Sequence, residues 1–275
     1  MKRPLAIALV ASALLGRPAA GQTIVYPDFS STAGLQLNGS AFKNGNKLTL
    51  TPATFGQGGS AFSTSTVTLN ATSSFSTVFS FEILGRGGLG NGADGLTFTV
   101  QTNANNVGGS GGGLGYAGIP NSVAVEFDTF DNGEPGQSNH VGIDLNGDVN
   151  SVVSTAQLTP DFDDGNVWWA WVDYDGSTQS LEARWSQSAV RPVGAMLSHT
   201  VDLTTILGSP NVFAGFTAGT GSGYGEHNIL SWNFVNRFVP GGAPPPSTTT
   251  PEPATLALVA GGLAVLGTLA RRRKA

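Results

Sequence analysis

Between residues 24 and 240 the apolar side chains of this chain recur with period two, in short runs broken by Gly, Asn and Asp. That period belongs to strands with one face on a core; a helix, with 3.6 residues per turn, cannot bury such a pattern. The clearest runs are residues 75–84, 95–101, 122–130, 140–145, 167–174 and 229–238. Short strands at regular spacing with turn residues between them predict an all-β sandwich or barrel, and one domain of this size suffices. No segment of useful length has helical periodicity, and no internal repeat occurs. Composition agrees: 39 of 275 residues are Gly and only 11% are charged, against about 7% Gly and about a quarter charged in an average soluble domain. The run VWWAWV over residues 167–172 is apolar on both faces, so this strand is expected to be central and covered on both sides, with the tryptophans mostly in the core.

Both ends read as targeting segments. Residues 1–21 start with Lys2 and Arg3, continue through an apolar run over residues 5–15 and finish with Ala19, Ala20 and Gly21, the pattern of a secretory signal peptide. Cysteine is absent, so the exported domain is expected to rely on core burial without disulfides. At the other end, a Pro/Ser/Thr linker (residues 241–250) leads to Pro251, Glu252 and Pro253, an apolar stretch over residues 254–270, and Arg271, Arg272, Arg273 and Lys274. The apolar stretch is at the lower limit for a membrane-spanning helix, and its basic cluster would stay cytoplasmic. Residues 251–275 resemble the PEP-CTERM sorting signal of Gram-negative bacteria. The resemblance implies processing by an exosortase-type enzyme and association with extracellular polysaccharide. With a transient or a permanent C-terminal membrane anchor, the globular part is expected at the outer surface or in the extracellular matrix. Residues 22–250 carry six basic and seventeen acidic side chains, a balance that repels phosphate backbones and excludes nucleic acid as a partner.

The strand over residues 122–130 carries the chemistry. Alternation puts Val123, Val125 and Phe127 on one face and Glu126, Asp128 and Phe130 on the other. Two neighbouring carboxylates repel, and burial raises the pKa of at least one; a cation removes both problems. The loop that follows, DNGEPGQSN over residues 131–139, supplies oxygen ligands including Asn132 and Glu134, and His140 opens the next strand. Carboxylates, an amide and a backbone carbonyl suit Ca2+; carboxylates with an imidazole suit Mn2+ or another transition metal. The run DLNGD over residues 144–148 is not an EF-hand, because Val149 and Thr155 stand where that loop needs Gly and Glu. It reads as a turn. Asp161, Asp163 and Asp164 read as a solvated acidic loop, and His199 and His227 as structural.

The runs VAVEFDTFDN (residues 123–132) and HVGIDLN (residues 140–146) resemble the β-chain signature of the legume (L-type) lectins. The likeness continues in FSTVFSF (residues 75–81), ADGLTF (residues 93–98), GGGLG (residues 111–115), GFTAGTG (residues 215–221) and HNILSWNF (residues 227–234), in family order and spacing. It implies a jelly-roll sandwich over residues 22–240. It also implies Glu126, Asp128 and His140 as transition-metal ligands, with Asp128, the Phe130 carbonyl and Asn132 at the calcium positions. Where the family has an aspartate bound to both ions, this chain has Glu134. For carbohydrate, the resemblance implies Asp94, an amide of Gly112 or Gly113, Asn132, amides around Ser222 and Gly223, and the Phe130 ring against sugar C–H groups. A cis peptide bond between Ala93 and Asp94 is implied as well. The short loop over residues 221–227 is compatible with mannose or glucose, and a homodimer through sheet edges is a family habit.

The function expected is therefore calcium-dependent recognition of a glycan or exopolysaccharide without catalysis. Two alternatives stand beside it. A structural matrix protein could keep the scaffold with calcium as a staple. A retaining glucan hydrolase could use Glu126, Asp128 and Asp131, but it needs two carboxyls about 5 to 5.5 Å apart across the scissile bond, and it leaves Asn132 and His140 unexplained.

Overall fold

The computed structural model describes residues 22–239. The signal peptide read in residues 1–21, the linker and the apolar sorting segment lie outside the described residues. In chain order the strands are β1 (Thr23–Tyr26), β2 (Leu35–Gly39), β3 (Phe42–Asn44), β4 (Lys47–Thr51), β5 (Gly58–Ser63), β6 (Val67–Thr68), β7 (Phe75–Gly88) and β8 (Gly95–Gln101). They continue with β9 (Ser122–Asp128), β10 (His140–Leu145), β11 (Asp148–Ser154), β12 (Trp168–Asp175), β13 (Ser180–Ser186), β14 (Leu197–Thr200), β15 (Asn211–Gly219) and β16 (Gly223–Val235). One helical turn, α1 (Leu203–Leu207), is capped by Asp202, whose side chain accepts from Thr204 and Thr205, and closes at Gly208.

The strands form two antiparallel sheets stacked as a jelly-roll sandwich. The back sheet has the order β14-β13-β12-β7-β16-β4-β3, with β1 also on β16; the front sheet has β11-β10-β9-β8-β15-β5-β2, with β6 on β15. Between them lies one core built from alternate residues of both sheets, including Phe79, Phe81, Phe98, Phe127, Phe216, Trp232 and Phe234. The period-two reading holds strand by strand. Val123, Val125 and Phe127 of β9 enter this core. β12 pairs with β7 on one side and β13 on the other. It sends Trp168, Ala170 and Val172 inward, while Trp171 is buried on the opposite face with Val78 and Val235.

Element ends differ from expectation in two places that matter. β9 stops at Asp128, so Phe130 belongs to the following loop. β16 begins at Gly223, well before residue 229, because Gly223 and Tyr224 pair with Gly88 and Gly87 at the far end of β7. Glycine-rich segments gave no periodicity from which those extensions could be read.

On the outer face of the front sheet the hydroxyls of Thr97 and Thr99 (2.6 Å) and of Thr97 and Thr217 (2.8 Å) are linked, and Thr217 donates to the Leu114 carbonyl at 2.7 Å. That chain seats the glycine loop, whose Leu114, Tyr116 and Ile119 form a second small core with Ala124. The outer face of β9 is therefore roofed, and its acidic residues are buried.

Candidate functional site

β9 and β10 pair so that His140 faces Asp128 and Gly142 faces Glu126. This register gathers the acids of one strand and the imidazole of the next. Glu126, Asp128 and His140 are each at most 1% exposed. The loop after β9 folds back so that Asp128, Glu134 and His140 each offer a ligand atom, all within 4.8 Å of one another. Glu134, standing where the resemblance expects aspartate, reaches the cluster.

Nδ1 of His140 lies 2.6 Å from the Gln137 carbonyl and donates to it. Nε2 of a neutral ring is then an acceptor, and it faces Glu126 Oε1 at 3.0 Å. Burial pushes the His140 pKa down, but hydrogen bonding and charge from Glu126 outweigh it, and the net shift is upward. Burial, followed by the Glu126 charge, pushes the Asp128 carboxyl well above the usual carboxylate range. Glu126 Oε2 is buried without a partner. Buried acceptors converging without enough donors are what a bound cation satisfies. The donor set of Glu126, Asp128, Glu134 and His140, with the Phe130 carbonyl and Asn132 alongside, fits a hard divalent ion and a neighbouring transition ion.

Two members of this cluster escaped sequence reasoning. Asp144 is not in a turn; it is on β10 and fully buried, and only Asn146 and Gly147 turn the chain. Ser151 Oγ on β11 lies 2.6 Å from both Asp144 Oδ1 and Glu126 Oε1. One hydroxyl hydrogen cannot serve two carboxylates, so this pair of acids is short of donors. Burial and the Glu126 charge raise the Asp144 pKa well above its usual value. The second oxygen of Asp144 and the Tyr116–Ser122 hydroxyl pair lie under the same roof.

The carbohydrate residues named from sequence lie beside this cluster. The Ala93–Asp94 peptide bond is cis. Asp94 is 3% exposed; its carbonyl accepts from Thr129 N at 2.8 Å and Thr129 Oγ1 at 3.0 Å, and Oδ1 meets Asn132 Nδ2 at 3.5 Å. Its other oxygen, Oδ2, has no partner. Burial raises the Asp94 carboxyl to about 6, against the Asn132 amide and the Gly221 N–H, which favour the charged form. The Gly221 N–H donates to the Gly223 carbonyl at 3.0 Å, so Oδ2 keeps a free lone pair. Gly112 sits in the single turn Gly111–Gly113 against the Asn132 amide, where any Cβ would collide with it. Gly113 packs on Ala117. Ser222 is exposed and Gly223 buried, and the turn amide nearest the Asp94 carboxylate belongs to Gly221, which the sequence did not single out. The Phe130 ring rests on Gly90 and lines an adjoining polar cleft of about 490 Å³ with Arg86, Asn91, Asp131, Asn139 and Asp163.

Asp163 corrects the reading of a wholly solvated acidic loop. It is 7% exposed, is paired with Arg86 at 3.2 Å and lies against Gly92. His227 is structural: fully buried, with Nδ1 2.7 Å from Thr51 Oγ1, and held down to about 3 by burial.

A family profile described as Legume lectin domain matches residues 22–249, and one described as PEP-CTERM protein-sorting motif matches residues 249–274. The L-type lectin-domain containing receptor kinase VIII.1 of Arabidopsis thaliana is 34% identical over 221 residues, which is 76% of this chain but only 29% of the kinase. The basic agglutinin of Psophocarpus tetragonolobus is 37% identical over 174 residues, 58% of this chain and 68% of the agglutinin. Among solved structures, the lectin from Bauhinia forficata in complex with GalNAc superimposes with a TM-score of 0.69 at 30% identity, over 80% of this chain and 99% of that one. Basic winged bean lectin with Tn-antigen gives a TM-score of 0.68 at 28% identity, over 78% and 97%.

Proposed function

The chain belongs to the legume lectin domain family, and from that premise we propose that it is an exported, calcium-dependent binder of an extracellular or cell-surface glycan. The observation that carries the proposal is the environment of Asp94. A buried carboxylate has one oxygen against the Asn132 amide and the other free, in a niche walled by the glycine turn and Gly221. Such a group accepts from two adjacent sugar hydroxyls, while the Asn132 and Gly112 amides donate to them. Glycine at position 112 lets the backbone approach the ligand.

In this reading Asp128, the Phe130 carbonyl, Asn132 and Glu134 hold calcium, and Glu126, Asp128, Glu134 and His140 hold a transition ion such as Mn2+. Bound there, the ions supply the positive charge that neutralises the buried carboxylates. Asp128 accepts the Phe130 N–H at 2.6 Å and Glu134 accepts the Asn132 N–H at 3.2 Å. The metal cluster and the sugar-facing loop thus share residues, so emptying the cluster frees Asn132 from its position under Asp94.

We read the chain as non-catalytic. Glu126 and Asp128 lie side by side on one roofed strand and do not flank an open cleft, and Asp131 turns its carboxylate onto the Gly133 N–H at 2.9 Å. The sorting motif supports export and exosortase-type processing; in this reading the apolar segment within it serves as a C-terminal anchor, transient or permanent. A homodimer would use an edge such as that of β1, which among the described residues pairs only with β16 and carries the half-exposed Val25.

The test is a glycan array with the purified protein in calcium, in chelator, and as Asp94→Ala. Specific binding that both treatments abolish, with the glycans left uncleaved, supports the proposal. Cleaved glycans would point to a hydrolase. No binding from a calcium-stabilised fold would leave a matrix protein that kept the scaffold alone.

A further inference from the structure

Five asparagines of this chain stand directly before a glycine: Asn38, Asn44, Asn91, Asn132 and Asn146. Such a pair is chemically labile, because glycine has no Cβ to keep its own nitrogen away from the amide carbon of the preceding side chain. The fold pins four of the five. Asn38 Nδ2 donates to Ser60 Oγ at 3.0 Å and to the Ala104 carbonyl at 2.9 Å, and Gly39 sits in the β2–β5 ladder. Asn44 is paired with Lys47 where β3 turns into β4. Gly92 is buried against Asp163. Gly147 packs on the backbone of Gly118 and Ile119, and its carbonyl accepts the Gly118 N–H at 2.8 Å.

Neither a ladder nor packing holds Asn132–Gly133. Both residues are exposed, in the loop between β9 and β10, and nothing lies within 4 Å of the place where a Gly133 side chain would stand. The Gly133 N–H donates to Asp131 Oδ1 at 2.9 Å, so a carboxylate rests on the hydrogen that must leave before this nitrogen can act as a nucleophile. The one side-chain hydrogen bond of Asn132 among the described residues is long, Nδ2 standing 3.5 Å from Asp94 Oδ1. The amide carbon is therefore free to approach the nitrogen that follows it.

We propose that Asn132–Gly133 is a self-modification site, at which the loop between the buried acids and Asp94 deamidates. Gly133 N attacks Asn132 Cγ. The new C–N bond closes a succinimide, the Cγ–Nδ2 bond breaks, and Nδ2 leaves as ammonia with the proton given up by Gly133. Water then opens the ring at either carbonyl, giving aspartate or isoaspartate. Each product sets a carboxylate where an amide had donated toward Asp94, and two like charges there repel. Isoaspartate also lengthens the main chain by one carbon between Phe130 and Glu134. On the carbohydrate-binding reading, on which this consequence rests, the site loses its ligand as the protein ages. In the same reading an Asn132 oxygen committed to calcium fixes the amide and slows the attack.

Peptide mapping by mass spectrometry tests the site directly. The full chain is aged in warm, mildly alkaline buffer with calcium, with chelator, or unfolded in urea. Each Asn-Gly pair is scored for the one-dalton gain of deamidation, and isoaspartate is counted by isoaspartyl methyltransferase labelling. All five pairs are expected to convert in urea. In the folded chain Asn132 keeps most of its urea rate, while local structure slows the other four by at least about tenfold. Chelator makes Asn132 convert severalfold faster than calcium does. The proposal is overturned if Asn132 in the folded, chelated chain is protected as strongly as the other four, or if another pair converts first. Equal rates in calcium and chelator would remove the link to the metal. The consequence is read from Asn132→Asp, whose glycan affinity in titration calorimetry is expected to fall by at least about tenfold; wild-type affinity in that variant would overturn it. A wild type that binds no glycan would instead defeat the carbohydrate reading, while the deamidation itself is still read from the masses.

Discussion

His140 Nε2 and Glu126 Oε1 face each other at 3.0 Å with neither side chain open to solvent, and with the other ring nitrogen of His140 already spent on Gln137. The pair is complete only with a positive charge between or upon its members. Millimolar Ca2+ with Mn2+ is therefore expected to raise Tm, and chelation to lower it. Ions at about a hundred times their Kd add ~2.7 kcal/mol, which scanning calorimetry resolves. A Tm indifferent to ions and chelator would remove the metal assignment.

Asp94→Asn keeps the shape of the buried side chain and removes its charge. Glycan affinity is expected to fall by at least about a hundredfold, since a site built around hydroxyl groups loses its acceptor. Tm should stay within a few degrees. Retained binding in the titration would contradict the role given to Asp94.

Gly112→Ala places a Cβ onto the Asn132 amide. Because that turn is half-buried, the expected outcome is loss of glycan binding of about tenfold or more with a small change in stability. Equal affinity for wild type and variant would mean that Asn132 does not bear on the ligand.

His227 is neutral in the fold because burial holds its pKa at about 3, whereas an unfolded histidine titrates near ~6.5. Between those values the unfolded state binds the extra proton. The stability linked to His227 is thus complete above about pH 6.5 and is lost as pH falls toward about 3; at pH 4.5 the loss is about 2–3 kcal/mol. The buried carboxyls with raised pKa values pull in the opposite direction, so the comparison to make is urea unfolding of wild type against His227→Gln at pH 7 and 4.5. The gap between the two proteins should narrow in acid, and a constant gap would refute the assignment.

What the sequence could show of this site was whatever depends on neighbours along one strand. The alternation of β9 places Glu126 and Asp128 together, and the same alternation places the core. Asp144 and Ser151 were out of reach, because their meeting depends on the pairing of three strands and on a roof brought in by the glycine loop. Asp163 looked solvated for the same reason: its cover, Gly92 and Arg86, lies some seventy residues away in the chain. Gly221 and the length of β16 were hidden in a segment whose small residues carry no periodicity. Glu134 is the opposite case, a departure visible in the sequence whose consequence depends on how the loop folds back, and here it folds toward the cluster.

The thirteen residues of β16 run from the turn at Gly223 to Val235, where Asn236 bonds to Gln22 and Val239 to Ser76. Both ends of the domain therefore leave from one pole, and at about 3.3 Å per residue that pole lies on the order of 40 Å from the turn. On the proposed carbohydrate-binding reading, a domain tethered by whatever follows residue 239 holds the Gly223 turn at the far tip, pointing away from the tether and toward ligands that never approach the attachment surface.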